Sequence, residues 1–241
     1  MELHLLFCLV IFLRHLLITT PNRDHPVITR ELQHSIIENS FKLSVFAVLV
    51  AIILSVVYAI SEKRIAEQQI SAERQALNII FPTNHHNNDL INDIIMLNLT
   101  DNEFSKLDLL GLRENSIAYL ARKNREVNGV ILPAIARDGY NGDINLLIGI
   151  RADGSVTGVR VVTHRETPGL GDKIDIRFSN WILSFNNRSL DNPKPEAWTV
   201  KKNNGDFDQF TGATITPRAI TVTTAKALVF FEENKTLLLS L

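Results

Sequence analysis

Seven residues near the carboxyl end, Asp208, Gln209, Phe210, Thr211, Gly212, Ala213 and Thr214, form a D-x-x-T-G-A-T run in which two hydroxyls flank two nearly bare positions. Gly212 and Ala213 leave the neighbouring hydroxyl unshielded. Ile215, Thr216, Pro217 and Arg218 follow, and residues 219–241 contain neither Gly nor Pro, which predicts a helix with Thr216 as N-cap and Pro217 as first helical residue. A helix amino terminus offers free N–H groups and the positive end of a dipole, so the run suits a phosphate esterified to one of its threonines. Threonine is a poor nucleophile at neutral pH, and making such an ester requires a separate enzyme.

A second run, Glu166-Thr167-Pro168-Gly169-Leu170-Gly171-Asp172-Lys173-Ile174, concentrates turn residues next to a carboxylate and an ammonium. Other chemistries find no support: there is no catalytic triad, no Walker loop and no carboxylate pair, so no turnover is expected of this chain alone. His85 and His86 sit in an Asn-rich stretch and read as solvated rather than metal-binding residues. Cys8 is the single cysteine and lies outside the main domain, which excludes an intramolecular disulfide. Twenty-five basic and 26 acidic residues give a net charge of -1, with no sign of nucleic-acid binding.

The elements that must position these runs begin with an anchor. Residues 43–61 are 19 consecutive uncharged residues, long enough at about 1.5 Å per residue to cross a bilayer as a helix. Flanking charge does not orient it, because Arg23, Arg30 and Lys42 precede it while Lys63, Arg64 and Arg74 follow. Upstream, the apolar run at 5–13 is too short to span and lacks a positive start, so residues 1–41 read as a tail or as an over-extended gene start. Downstream, residues 62–93 read as a juxtamembrane helix, with Ala66, Ile70, Leu77 and Ile80 on one face, followed by a polar linker after Phe81-Pro82.

The folded domain is expected from 94 to 241. Residues 116–122 and 130–136 read as strands around a turn at Asn128-Gly129, and 144–150 with 156–162 as a hairpin turning at Asp153-Gly154. Ile174, Phe178, Trp181, Ile182 and Phe185 recur at helical spacing and predict an amphipathic core helix. Together these give an α+β fold: one amino-terminal transmembrane helix, then a twisted antiparallel sheet covered by at least two helices.

Both runs, in this order, resemble the G subunits of Rnf (Rsx) ion-translocating electron-transport complexes, and the segments Gly139-Tyr140-Asn141-Gly142 and Trp198 with Lys201-Lys202 fall where that family has similar ones. The C subunits of sodium-pumping NADH:quinone reductases are relatives and the alternative assignment; a membrane-anchored binding module without flavin is another. The resemblance implies FMN joined through a phosphodiester to Thr214 by a flavin transferase that reads Asp208, with Thr211, Gly212 and Ala213 beside it. It implies that Glu166, Thr167, Gly169, Leu170 and Gly171 place the flavin ring, the glycines allowing close backbone approach and Glu166, Thr167 and Lys173 tuning it. It also implies a bacterial inner-membrane protein with a single span and a periplasmic FMN domain, an electron carrier among the other subunits of its complex. That complex would link ferredoxin and NAD to ion transport or keep a redox-sensing regulator reduced.

Overall fold

The computed structural model describes residues 30–100 and 103–241, so the readings of the apolar run at 5–13 and of Cys8 lie outside the described residues. Contacts divide the chain into two units, Met1–Arg64 and Ile65–Leu241. One long helix, α1 (Arg30–Ile80), contributes to both. In the first unit, His34–Tyr58 has a mean hydropathy of 2.5 and none of it is buried against protein. At about 1.5 Å rise per residue that stretch is long enough to cross a bilayer. Its apolar side chains, Phe41, Leu43, Leu49 and Ile53 among them, point outwards all round the helix, as a lipid-facing segment requires.

The second unit is built on a five-stranded antiparallel meander, β1 (Ile94–Leu97), β2 (Ser116–Lys123), β3 (Glu126–Ala136), β4 (Ile144–Arg151) and β5 (Val156–Thr163), in sequential order. The β4–β5 hairpin stands where the sequence predicts it. The β2–β3 turn does not: it falls at Asn124-Arg125, both with positive φ (56° and 75°), while Asn128 and Gly129 lie within β3. Positive φ at both central residues is what the twist of a two-residue hairpin requires. Pro133 is tolerated inside β3 because β2 pairs with β3 only as far as Ile131, leaving Pro133 opposite Leu147 of β4 alone.

Helix α2 (Ile215–Ser240) covers one sheet face, burying Ile220, Ala227, Leu228, Phe230, Phe231 and Leu238 against β3 and β4. The Asn234 side chain fastens it by donating to the Phe230 and Ser105 carbonyls and accepting from the Ser105 amide. The opposite face receives the end of α1, where Leu77, Ile80 and Phe81 pack on Ala121 and Ile131. His86, expected in solvent, is instead buried: its ring lies edge-on to Phe81 and its Nδ1 is 3.1 Å from the Asn88 carbonyl. The amphipathic helix expected over 174–185 is replaced by two 3-10 turns, Gly171–Ile174 and Asn180–Phe185. Asp175 accepts from the Arg177 amide and Ser179 from the Trp181 amide, local bonds that compete with helical ones. Phe178, read as core, is exposed; Ile174, Ile182 and Phe185 are buried as expected.

The Tyr119 hydroxyl of β2 donates to Glu73 of α1 at 2.9 Å. Burial, and then the hydrogen bond and charge of Glu73, push the phenol up to about 12. An acid whose pKa is raised on folding binds more protons folded than unfolded, so its contribution is intact below about pH 10 and lost on going to about 12. Urea unfolding of the full chain from pH 9 to 12 should show a fall in that window that Tyr119→Phe flattens; parallel pH profiles would contradict this coupling.

Candidate functional site

The signature run owes its shape to aromatic packing. Rings of Trp181, Phe185, Trp198, Phe207 and Phe210 pack together, Phe185 stacked on Phe207 at a centroid separation of 4.7 Å and Trp181 edge-on to Phe210 at 5.2 Å. The Trp181 indole N–H donates to the Asp208 carbonyl at 2.7 Å, fixing the start of the run. Asp208 also pairs with Lys201 at 2.6 Å, a hydrogen bond that holds the lysine ammonium above its ordinary pKa. From Phe210 the chain makes a tight turn closed by Ala213 N–H to Phe210 C=O at 3.1 Å, with Gly212 at φ 82°.

Helix α2 then starts two residues earlier than predicted. Thr214, not Thr216, is the N-cap residue, and Pro217 is the third helical residue. The reason is a long-range bond. Thr216 Oγ1 donates to Glu166 Oε2 at 2.5 Å in a buried contact, so its hydroxyl is unavailable for capping. The other carboxylate oxygen, Oε1, accepts the Asn141 N–H at 3.1 Å, and the Asn141 side chain donates to Thr167 Oγ1 at 3.2 Å. Gly171 makes room for that carboxylate, since a Cβ there would sit 2.8 Å from Oε2; a Cβ on Gly139 would meet the Gly142 carbonyl at 2.2 Å and only then Oε1 at 3.0 Å.

The result is a cavity of about 290 Å³ where the two runs meet. It is lined by Glu166, Thr167, Leu170 and Gly171 from one run, Gly212, Ala213 and Thr214 from the other, and Tyr140, Ile215 and Thr216. Thr211, Gly169 and Lys173 do not line it. The N–H groups of Leu170, Gly171 and Asp172 converge on the Thr167 carbonyl at 3.2, 3.0 and 3.3 Å and so are not offered to a ligand. From this loop, Leu170 and Gly171 line the cavity. Tyr140 and Thr216 are contributors that the sequence did not single out for this role, although Tyr140 lies in one of the segments that carry the family resemblance.

The three threonines therefore differ. Thr211 is exposed away from the cavity and Thr216 is engaged by Glu166, whereas half-buried Thr214 lines the cavity and its hydroxyl makes no hydrogen bond among the described residues. Around it are the first-turn N–H groups of α2, which suit an anion, and the walls Tyr140, Leu170, Ala213 and Ile215, which suit a flat apolar ring.

Two family models match the chain, the RnfG N-terminal region over residues 30–80 and an FMN-binding domain over residues 139–229. The G subunit of an ion-translocating oxidoreductase complex from Shewanella amazonensis is 43% identical over 85% of this chain and 92% of its own length. The chain belongs to the family of G subunits of ion-translocating oxidoreductase complexes. The corresponding G subunit from Vibrio cholerae is 39% identical over 82% of this chain and 91% of that one. A crystal structure of Shewanella oneidensis NqrC matches with a TM-score of 0.41 and 20% identity, over 59% of this chain and 72% of that one. In this member of the G-subunit family the FMN-binding-domain match, residues 139–229, contains both runs and every residue that lines the cavity.

The Glu166 pocket makes Gly171 a sensitive position. Gly171→Ala places a methyl against a buried carboxylate and should cost about 1–3 kcal/mol, the range of overpacking in a filled interior. A urea midpoint equal to that of the wild type would show that the loop yields without cost.

Proposed function

We propose that this protein carries FMN covalently, through a phosphodiester to Thr214 made by a flavin transferase, and relays electrons among the other subunits of its complex. The observation that carries the reading is the contrast among the threonines: Thr214 alone combines a free hydroxyl, a place in the cavity wall and the amino terminus of α2. When bound, FMN supplies reversible uptake and release of electrons. The chain's own groups do the holding. First-turn N–H groups of α2 would hold the phosphate; Leu170, Tyr140 and Ile215 would offer apolar surface to the ring; Asp208, tied down by Trp181 and Lys201, would give the transferase a fixed feature to read.

Magnitudes favour a covalent bond over simple binding. A helix terminus contributes only about 0.3–1 kcal/mol towards an exposed anion. The cavity, at about 290 Å³, is at the small end of ligand pockets, which start at roughly 300 Å³. Neither would retain a cofactor on the far side of a membrane from the cytosolic pool. That placement, with the domain periplasmic and the anchor crossing the inner membrane once, follows the family resemblance, and with it the link between ferredoxin and NAD redox chemistry and ion transport or reduction of a redox-sensing regulator.

Protein made together with its flavin transferase should keep ultraviolet-excited fluorescence after denaturing electrophoresis, and Thr214→Val should lose it. Flavin found on Thr211 or Thr216 would overturn the assignment. For orientation, alkaline phosphatase fused after Leu241 should be active, whereas a fluorescent protein that matures only in the cytoplasm should stay dark; the opposite pattern would place the domain inside.

A further inference from the structure

Of the ten residues lining the cavity, Glu166 alone carries a carboxyl, ammonium, guanidinium or imidazole group, and it is only 5% exposed. Its partners are neutral. Oε2 accepts from the Thr216 hydroxyl at 2.5 Å and Oε1 from the Asn141 N–H at 3.1 Å, and no Lys, Arg or His side chain forms an ion pair with it among the described residues. The neighbouring imidazole faces the main chain: His164 Nδ1 accepts the Glu166 amide N–H at 3.1 Å. Removing a carboxylate from water without a cation is unfavourable, and neutral hydrogen bonds recover only part of the loss. Yet this position is built around the carboxylate, since Gly171 leaves the space that Oε2 fills.

We propose that Glu166 sets the redox poise of the flavin site by holding a fixed negative charge in the cavity wall. The inference rests on FMN occupying this cavity. Reduction places electrons on the ring, and a nearby negative charge raises the energy of the more electron-rich form, so the potential is lowered. Thr216 and Asn141 moderate that effect, because donors to a carboxylate draw its charge towards themselves. Two substitutions should therefore act in opposite directions. Glu166→Gln removes the charge and shifts the potential positive. Thr216→Val keeps the charge, removes a donor, and shifts the potential negative. If Glu166 served only to hold the two runs together, both changes would loosen the same contact and move the flavin in the same sense.

The test uses full-length protein produced with its flavin transferase and purified in detergent. Reductive titration with dithionite and mediators, followed by visible absorbance, gives the potential, and in-gel fluorescence gives the covalently flavinylated fraction. A positive shift for Glu166→Gln with a negative shift for Thr216→Val supports the proposal. A wild-type potential for Glu166→Gln, or shifts of the same sign in both, overturns it. If Glu166→Gln does not accumulate as folded protein, the Thr216 pair decides: Thr216→Ser should keep the wild-type potential and Thr216→Val should shift it negative, whereas no shift or a positive one overturns the proposal. Failure of the covalent reading would look different, as wild-type protein without in-gel fluorescence, and the potentials of protein loaded with free FMN would still report on Glu166.

Discussion

A carboxylate held in an interior without a cation has to be satisfied by neutral donors, and at Glu166 those donors come from distant segments on either side of it in the sequence. The Asn141 amide lies 25 residues before it and the Thr216 hydroxyl 50 residues after. This one side chain therefore determines how the β3–β4 connection, the loop after β5 and the start of α2 meet. It crowds any Cβ at 171, it takes Thr216 away from capping, and it leaves Thr214 as the residue at the helix start. Without the bond to Thr216, the Thr216-Pro217 pair would be a favourable start signal, and a helix beginning there would withdraw Thr214 from its first turn.

The connection from β5 to α2 has little regular structure, and its rigidity comes from rings rather than charges. Exposed ion pairs such as Lys201–Asp208 contribute about 0–1 kcal/mol and weaken with salt. Aromatic contacts add roughly 0.5–1.5 kcal/mol per pair beyond the area they bury. Five rings share several such contacts, and two of them, Trp181 and Trp198, also donate indole hydrogen bonds to loop carbonyls. The backbone at Asp208 is thus fixed by Trp181, while the Asp208 side chain stays exposed for recognition.

What the sequence reveals and what it conceals divide along the range of the interactions involved. The β4–β5 hairpin, the end of α1 at Ile80 and the existence of α2 are legible because alternation, Gly and Pro act locally. The helix expected over 174–185 has the right period, and three of its apolar residues are buried, but Asp175 and Ser179 turn the backbone with their own side chains. Periodicity reports which residues are buried more dependably than the path between them. The β2–β3 turn is obscured by Asn128-Gly129, a stronger hairpin signal that belongs instead to a strand whose Asn128 donates to the His85 carbonyl. The two runs mark the cavity, but the division of roles among Thr211, Thr214 and Thr216 depends on Glu166, and no local pattern encodes a partner that distant.

Glycine within strands follows the same logic on the other side of the sheet. Gly149 and Gly158 face each other across β4 and β5, with Gly129 close by on β3, and a Cβ at any of them would run into the end of α1: Phe81 above Gly129, Ile80 above the other two. Glycine in an extended strand sacrifices roughly 0.5–1 kcal/mol relative to alanine. Burying side chains the size of Leu77, Ile80 and Phe81 returns about 1.5–3 kcal/mol each, so a floor of three glycines is more than offset by the helix end it admits. The strands that accept α1 on one face carry α2 on the other. A single sheet is thus the frame both for the last turns of the anchor helix and for the helix whose first turn holds Thr214.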